Sequence, residues 1–220
     1  MSNVATMPAR LPGPESRQTG NAQAAVFIDG KYLEQVLQYD FQDSRIDIGK
    51  LAWVMSRPGD LLRAYYYSCW PWQHHPPTTE DEIRLSRKHK LITAISHLPR
   101  FEVRMGHLAK IAQTKTGLPV FKRKMIDCWA GVDIALLAVS GKISSISVLS
   151  GERDIVPGVQ AAKNAGVAVI LWHGNTERTR PSLELYEMAD ERRTLDPKLL
   201  RQIQFTPPKN ERAVGQRQTC

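Results

Sequence analysis

Twice in this chain a short, mostly apolar run ends abruptly on carboxylates: Ala25-Val26-Phe27-Ile28 leads into Asp29 and Gly30, and Ser147-Val148-Leu149 leads through Ser150-Gly151 into Glu152 and Asp154. A run without regular polar alternation marks a strand covered on both faces. Covering both faces takes helices, so the pattern points to an α/β fold with a parallel sheet between helical layers. In such an open sheet the ligand sits beyond the carboxyl ends of the strands, where the direction of the connections reverses. Acids placed there face a ligand and not the core.

The rest of the chain alternates in the same sense. After a first strand at Ala24 to Asp29, Lys31 to Gln38 and Asp47 to Ser56 read as helices, the second stopped by Arg57-Pro58-Gly59. Leu61 to Ser68 is an aromatic-rich second strand, and Cys69 to Thr79, with Trp70, Trp72, His74 and His75, is a loop. Glu80 to His97 has helical spacing of Ile83, Leu91, Ile92 and Ile95, and Phe101 to Leu108 is a third strand. Ala109 to Lys124 reads as a hairpin or a flexible basic flap, and Trp129 to Val139 as a helix with Asp133 in its first turn. Ser145 to Leu149 and Val167 to Trp172 are the fourth and fifth strands, separated by a helix over Val156 to Ala165 that Gly166 terminates. Leu183 to Arg192 and Pro197 to Ile203 close the fold as helices.

At 220 residues and 42% hydrophobic content, the chain suffices for one well-buried domain, placed at 24–204. Residues 1–23 and 205–220 are polar and aperiodic and read as disordered tails. No apolar run approaches the roughly 18 residues of a membrane span, and no apolar signal core precedes the first strand. Cys69, Cys128 and Cys220 form no CxxC, zinc pattern or disulfide framework, which fits a reducing compartment. The expectation is a soluble, cytoplasmic protein with no membrane partner. Whether it forms a homo-oligomer or takes a protein partner is left open.

Net charge is +8, and its placement matters more than its size. Arg84, Arg87, Lys88, Lys90, Arg100, Arg104, Lys110, Lys115, Lys122, Arg123 and Lys124 stand against the single acid Glu102, so this segment alone carries +10. A basic middle beside an acidic site suggests a polyanion held electrostatically and presented to carboxylates through a metal. A solvated helix face plus a loop is the plainer alternative.

If the first and fourth strands are neighbours, Asp29, Glu152 and Asp154 converge at one edge, with Asp133 reaching it from the start of the intervening helix. Crowded carboxylates raise one another's pKa unless a cation neutralises them, and oxygen-only ligands suit Mg²⁺ or Mn²⁺. Such an ion can activate water and stabilise charge in phosphodiester cleavage. Each acid also has a structural alternative: Asp29 as a helix cap, Asp133 as a dipole partner, Glu152 and Asp154 as turn residues. The adjacent His74 and His75 point in different directions and suit a loop better than a metal. Trp70 and Trp72 suit either base stacking or packing over the sheet edge.

Five blocks in order, Phe27-Ile28-Asp29-Gly30, Ala64-Tyr65-Tyr66-Tyr67, Leu98 to Arg104, Gly131-Val132-Asp133-Ile134, and Leu149 to Asp154 continuing to Gly166, resemble those of NYN domains of the PIN-like nuclease superfamily. The resemblance covers about Ala24 to Asp190. It implies a three-layer PIN-like Rossmannoid sandwich with a mainly parallel five-stranded sheet in the order 3-2-1-4-5, and metal-dependent ribonuclease activity. Asp29, Asp133 and Asp154 match family acids, and Ser150 matches the small polar residue beside them. Three positions depart from the pattern: Tyr32 stands where Asn is usual, Glu152 replaces the first Asp of the acidic turn, and the second acid expected about two turns after Asp133 falls near Val139. The last departure suggests a shortened helix, with Asp127 nearby as a partial substitute or a solvent-exposed acid.

The leading expectation is a ribonuclease whose Asp29, Asp133, Glu152 and Asp154 hold Mg²⁺ or Mn²⁺ and do the catalysis. Arg84, Arg87, Lys88, Arg104, Lys122, Arg123, Lys124 and Ser150 would contact RNA, more readily single-stranded. The alternative is an NYN-type RNA-binding or regulatory protein impaired in catalysis, and a third reading is a nucleotide-binding α/β protein.

Overall fold

A computed structural model describes residues 22–114 and 119–206. The tails expected at either end lie outside the described residues except at their inner edges. There Gln23 already belongs to the first strand, and the Phe205 amide bonds the Arg45 carbonyl.

The elements run β1 (Gln23–Asp29), α1 (Gly30–Phe41), α2 (Ile48–Ser56), β2 (Asp60–Cys69), α3 (Thr79–Ser96), β3 (Phe101–Gln113), β4 (Pro119–Lys124), α4 (Ile126–Val139), β5 (Ser145–Leu149), α5 (Val156–Asn164), β6 (Ala168–His173), α6 (Leu183–Met188), β7 (Glu191–Thr194) and α7 (Pro197–Ile203). They build one sheet in the order β4-β3-β2-β1-β5-β6-β7. All neighbouring pairs are parallel except β3 with β4. The expected five strands are its centre, in the expected order. The sheet nonetheless has seven strands and is mixed, which corrects the five-stranded expectation.

Each addition has a physical reason. A short connection after β3 turns the chain back on itself, and a short connection allows only an antiparallel neighbour. β7 interrupts what reads as one closing helix: α6 stops at Met188, Ala189 is extended, and Glu191-Arg192-Arg193-Thr194 pairs with β6. A charged strand suits an edge, where it discourages pairing with other chains. Asp190 secures the junction, accepting the Val169 amide at 2.8 Å and pairing with Lys163 at 2.8 Å.

Strand alternation divides the core into two layers. Val26, Ile28, Tyr66, Leu149 and Trp172 pack against α1, α2, α3 and α7 through Leu33, Leu51, Ile95 and Leu199. Phe27, Tyr67, Val148 and Leu171 face the other way, onto α4, α5 and α6 through Ile134, Val159 and Leu185. Complete burial of a side chain such as Ile28 contributes about 1.5–3 kcal/mol. α4 and α5 approach closely at two glycines, since a β-carbon on Gly158 would lie 2.5 Å from the Gly131 carbonyl oxygen. This contact fixes the height of α4 over the sheet, and with it the acids that α4 carries.

Candidate active site

β1 lies between β2 and β5, so the carboxyl ends of β1 and β5 are adjacent. Asp29 ends β1 and caps α1, its Oδ1 accepting the amides of Lys31 at 2.9 Å and Tyr32 at 3.2 Å. The cap alternative and the site reading are therefore compatible, because the second oxygen is left for other partners. Beyond β5, the Glu152 amide donates to the buried Ser150 hydroxyl at 3.2 Å, which tightens the turn. Glu152 leads into a 3₁₀ turn at Arg153–Ile155 that carries Asp154 outward, its side chain 59% exposed.

Tyr32 explains the shape of this turn. Buried at 5% exposure, it donates its hydroxyl proton to the Thr179 carbonyl and accepts from the Gly174 amide at 3.3 Å. Its ring lies against Gly151, where a β-carbon would come within 2.6 Å of it. Burial pushes its phenol up to about 12, so it remains a donor at neutral pH.

α4 begins earlier than its sequence suggests. Met125 takes a left-handed conformation at φ 74° and the helix starts at Ile126, so the first-turn acid is Asp127 and not Asp133. Burial raises the Asp127 pKa; Arg123 opposes the shift, while Asp29, Glu152 and Asp154 add to it. Asp127 is thus electrostatically part of the acidic group. Asp133 lies six residues further along α4, roughly 9 Å of helix rise away. It is buried and accepts from the Tyr67 hydroxyl at 3.0 Å and Arg104 Nε at 3.2 Å. The helix ends at Val139, as expected, but its earlier start gives it 14 residues. An acid at its start and another nearly two turns on are both present, as Asp127 and Asp133. Asp127 is the residue that sequence reading undervalues, and the Asp127–Asp133 spacing is the signal that could find it.

The acids open onto a cleft of about 610 Å³. Asp127, Glu152 and Asp154 line it together with Lys31, Lys88, Lys122 and Arg123. Behind it lies a recess of about 10 Å³ touched by Asp29, Asp127 and Ser150, with room for about one water-sized particle. Arg123 lines the cleft and reaches Asp29 of the recess. Its Nη1 lies 2.7 Å from Asp29 Oδ1, and its Nη2 lies 3.0 Å from Asp29 Oδ2 and 3.3 Å from Glu152 Oε1.

The remaining basic candidates are dispersed. Arg84 pairs with the fully buried Asp81, Arg87 lines a separate groove among α1, α2 and α3, and Arg104 is held by Asp133 and Glu102. Lys88 bonds Glu34 at 2.8 Å at the cleft wall, and Lys124 is exposed on β4. Lys31 lines the cleft although it lies outside the basic segment. Trp70 also reaches the cleft and packs on His89 at 4.4 Å, whereas Trp72 packs on Phe121 at 5.1 Å. His74 bonds Asp81 through its amide and its ring, a loop-fixing role.

The donor set, carboxylate oxygens only, suits a hard divalent cation. As arranged here, no three acidic, histidine or cysteine side chains among the described residues are positioned to hold a metal. The guanidinium of Arg123 supplies the local positive charge instead.

The fold is an α/β sandwich with acids at the carboxyl edge of its central strands and lysines in the same cleft. The chain is a member of the NYN domain family, whose sequence pattern matches residues 23–193, and that family lies within the PIN-like nuclease superfamily. No curated protein matches it in sequence. In fold it is similar to a crystal structure of a protein of unknown function from Vibrio parahaemolyticus. The TM-score is 0.53 at 14% identity, covering 86% of this chain and 99% of that one. No helix among the described residues is long and apolar enough to cross a membrane.

Proposed function

We propose that this protein is a divalent-metal-dependent ribonuclease acting on single-stranded RNA in the cleft between α4, the β5 turn and β4. The observation that carries the proposal is that Asp127, Glu152 and Asp154 share one cleft with Lys31, Lys88, Lys122 and Arg123, with Asp29 joined to it through Arg123. The lysines hold backbone phosphates against acids that would otherwise repel them. Trp70 offers an aromatic face to a base, a contact open to single strands and not to a stacked duplex. Asp29, Asp127, Glu152 and Asp154 would hold Mg²⁺ or Mn²⁺, which would supply a water of lowered pKa and offset the charge on the phosphate. Asp133, gripped by Tyr67 and Arg104, orders α4 from within. The second reading, RNA binding without cleavage, draws its support from the pairing of both Asp29 oxygens with Arg123.

Incubation of single-stranded RNA with the protein and Mn²⁺, with and without chelator, tests the proposal. Cleavage should vanish with chelator and fall in Asp154→Asn, an exposed position whose substitution leaves the fold intact. Salt-sensitive binding without cleavage would favour the second reading.

A further inference from the structure

Arg123 sits where the acidic group needs a cation. Its guanidinium grips both oxygens of Asp29 and one of Glu152 while its own side chain is only 19% exposed. Bidentate guanidinium–carboxylate pairs of this kind are among the stronger charged contacts. Burial is nevertheless incomplete on the outer side, because the Glu152 side chain is 51% exposed.

The residue that delivers this charge is not anchored as the acids are. Asp29 is fixed by the centre of the sheet, between two parallel neighbours. Arg123 belongs to an edge strand whose only sheet neighbour among the described residues is β3, and it pairs there with Leu108. β3 in turn pairs with β2 only from Phe101 to Gly106, so from His107 onward β3 and β4 form a two-stranded ribbon. Such a ribbon has little stability of its own. Lys122 and Arg123 therefore ride on a ribbon outside the parallel core of the sheet, and both line the cleft.

We propose that Arg123 is an exchangeable internal counter-ion: it neutralises Asp29 and Glu152 until a divalent cation displaces it, and the freed guanidinium then binds a phosphate of the RNA. This rests on the reading of the cleft as a metal-dependent site. Two positive charges cannot share the Asp29 carboxylate without mutual repulsion, so a metal ion and Arg123 are alternatives there. A planar, bidentate donor released into a cleft that already holds Lys31 and Lys122 finds in a phosphate the same geometry it left in a carboxylate. Metal loading and RNA binding would thereby reinforce each other, through one side chain that serves one or the other.

The test is calorimetric titration of Mn²⁺ into RNA-free protein, wild type against Arg123→Gln, with circular dichroism confirming the fold of each. The variant should bind Mn²⁺ about tenfold or more tightly, a difference of the size one strong charged contact provides. Equal or weaker Mn²⁺ binding by a folded variant would overturn the counter-ion role while leaving the metal site standing. An absence of Mn²⁺ binding in both proteins would overturn the counter-ion role and the metal-dependent reading together. Should Arg123→Gln fail to fold, wild-type protein decides: titration with Mg²⁺ should move the Arg123 Nε–H nuclear magnetic resonance towards that of a free arginine. A resonance that stays in place at saturating Mg²⁺ would overturn the proposal.

Discussion

The Tyr67 hydroxyl donates to Asp133 at 3.0 Å, joining the middle of α4 to β2 inside the core. Tyr67 is 1% exposed and Asp133 8%, so this is a buried carboxylate with one neutral donor and one cationic one, Arg104. Burial, together with the neighbouring Asp133 charge, holds the Tyr67 phenol far above its ordinary range, so it is a hydrogen-bond donor to Asp133 at neutral pH. Tyr67→Phe removes that donor and leaves the carboxylate under-satisfied. The expected loss is about 2 kcal/mol in urea denaturation, with cleavage at saturating RNA changed far less than stability.

Gly158→Ala probes how α4 is positioned. The new β-carbon would meet the Gly131 backbone at 2.5–2.6 Å, which no side-chain rotation can relieve. The helices must separate, carrying Asp127 with them. A loss of about 2–3 kcal/mol is expected, together with a fall in metal affinity that an unrelated destabilising substitution of equal size would not produce.

Acid sensitivity is expected to run through Asp81. This fully buried carboxylate accepts the Thr78 amide, the His74 amide and the His74 ring, and pairs with Arg84. The Thr78 amide is the chief cause holding its pKa well below the usual carboxylate range, with burial opposing and the His74 contacts assisting. A depressed folded-state pKa gives stability that is present above the unfolded value of about 3.9 and is lost as pH falls below it. Asp81→Asn should lower the melting temperature at pH 7 and flatten its decline below pH 4; an unchanged acid limb would contradict the assignment.

Phosphate binding by the cleft lysines has its own signature. Lys31→Ala combined with Lys122→Ala should weaken RNA binding and reduce the salt slope by about 0.7 for each phosphate that is no longer neutralised. The same pair of substitutions on the groove side, at Arg87 and Lys90, should leave the slope unchanged, because that groove lies away from the acids.

Much of this arrangement is legible in the sequence, for a physical reason. β1, β5 and the inner part of β6 are buried on both faces, so their apolar runs announce the strands and, for β1 and β5, the acids at their ends. β7 is invisible because an edge strand needs no apolar pattern, and Glu191-Arg192-Arg193 reads as the end of a helix. The start of α4 is hidden for a different reason. Met125 reverses the chain in a left-handed conformation without glycine and without a side-chain cap, so Lys124 to Asp127 carries no start signal. Without that signal Asp133 reads as the first-turn acid in place of Asp127, and the helix looks shorter than its 14 residues. Charge counting locates the basic segment but not its partners, since the pairing of Arg123 with Asp29 joins residues 94 positions apart.

The most direct measurement is the rate of Mn²⁺-dependent cleavage of single-stranded RNA by Asp29→Asn. Asparagine caps a helix nearly as well as aspartate, so α1 is preserved while the charge at the centre of the acidic group is removed. A loss of at least about a hundredfold, as expected when a group acting in the transition state is removed, is the predicted result. A folded Asp29→Asn protein that cleaves within about threefold of wild type, a difference of under 1 kcal/mol, would contradict the assignment of this cleft as the active site.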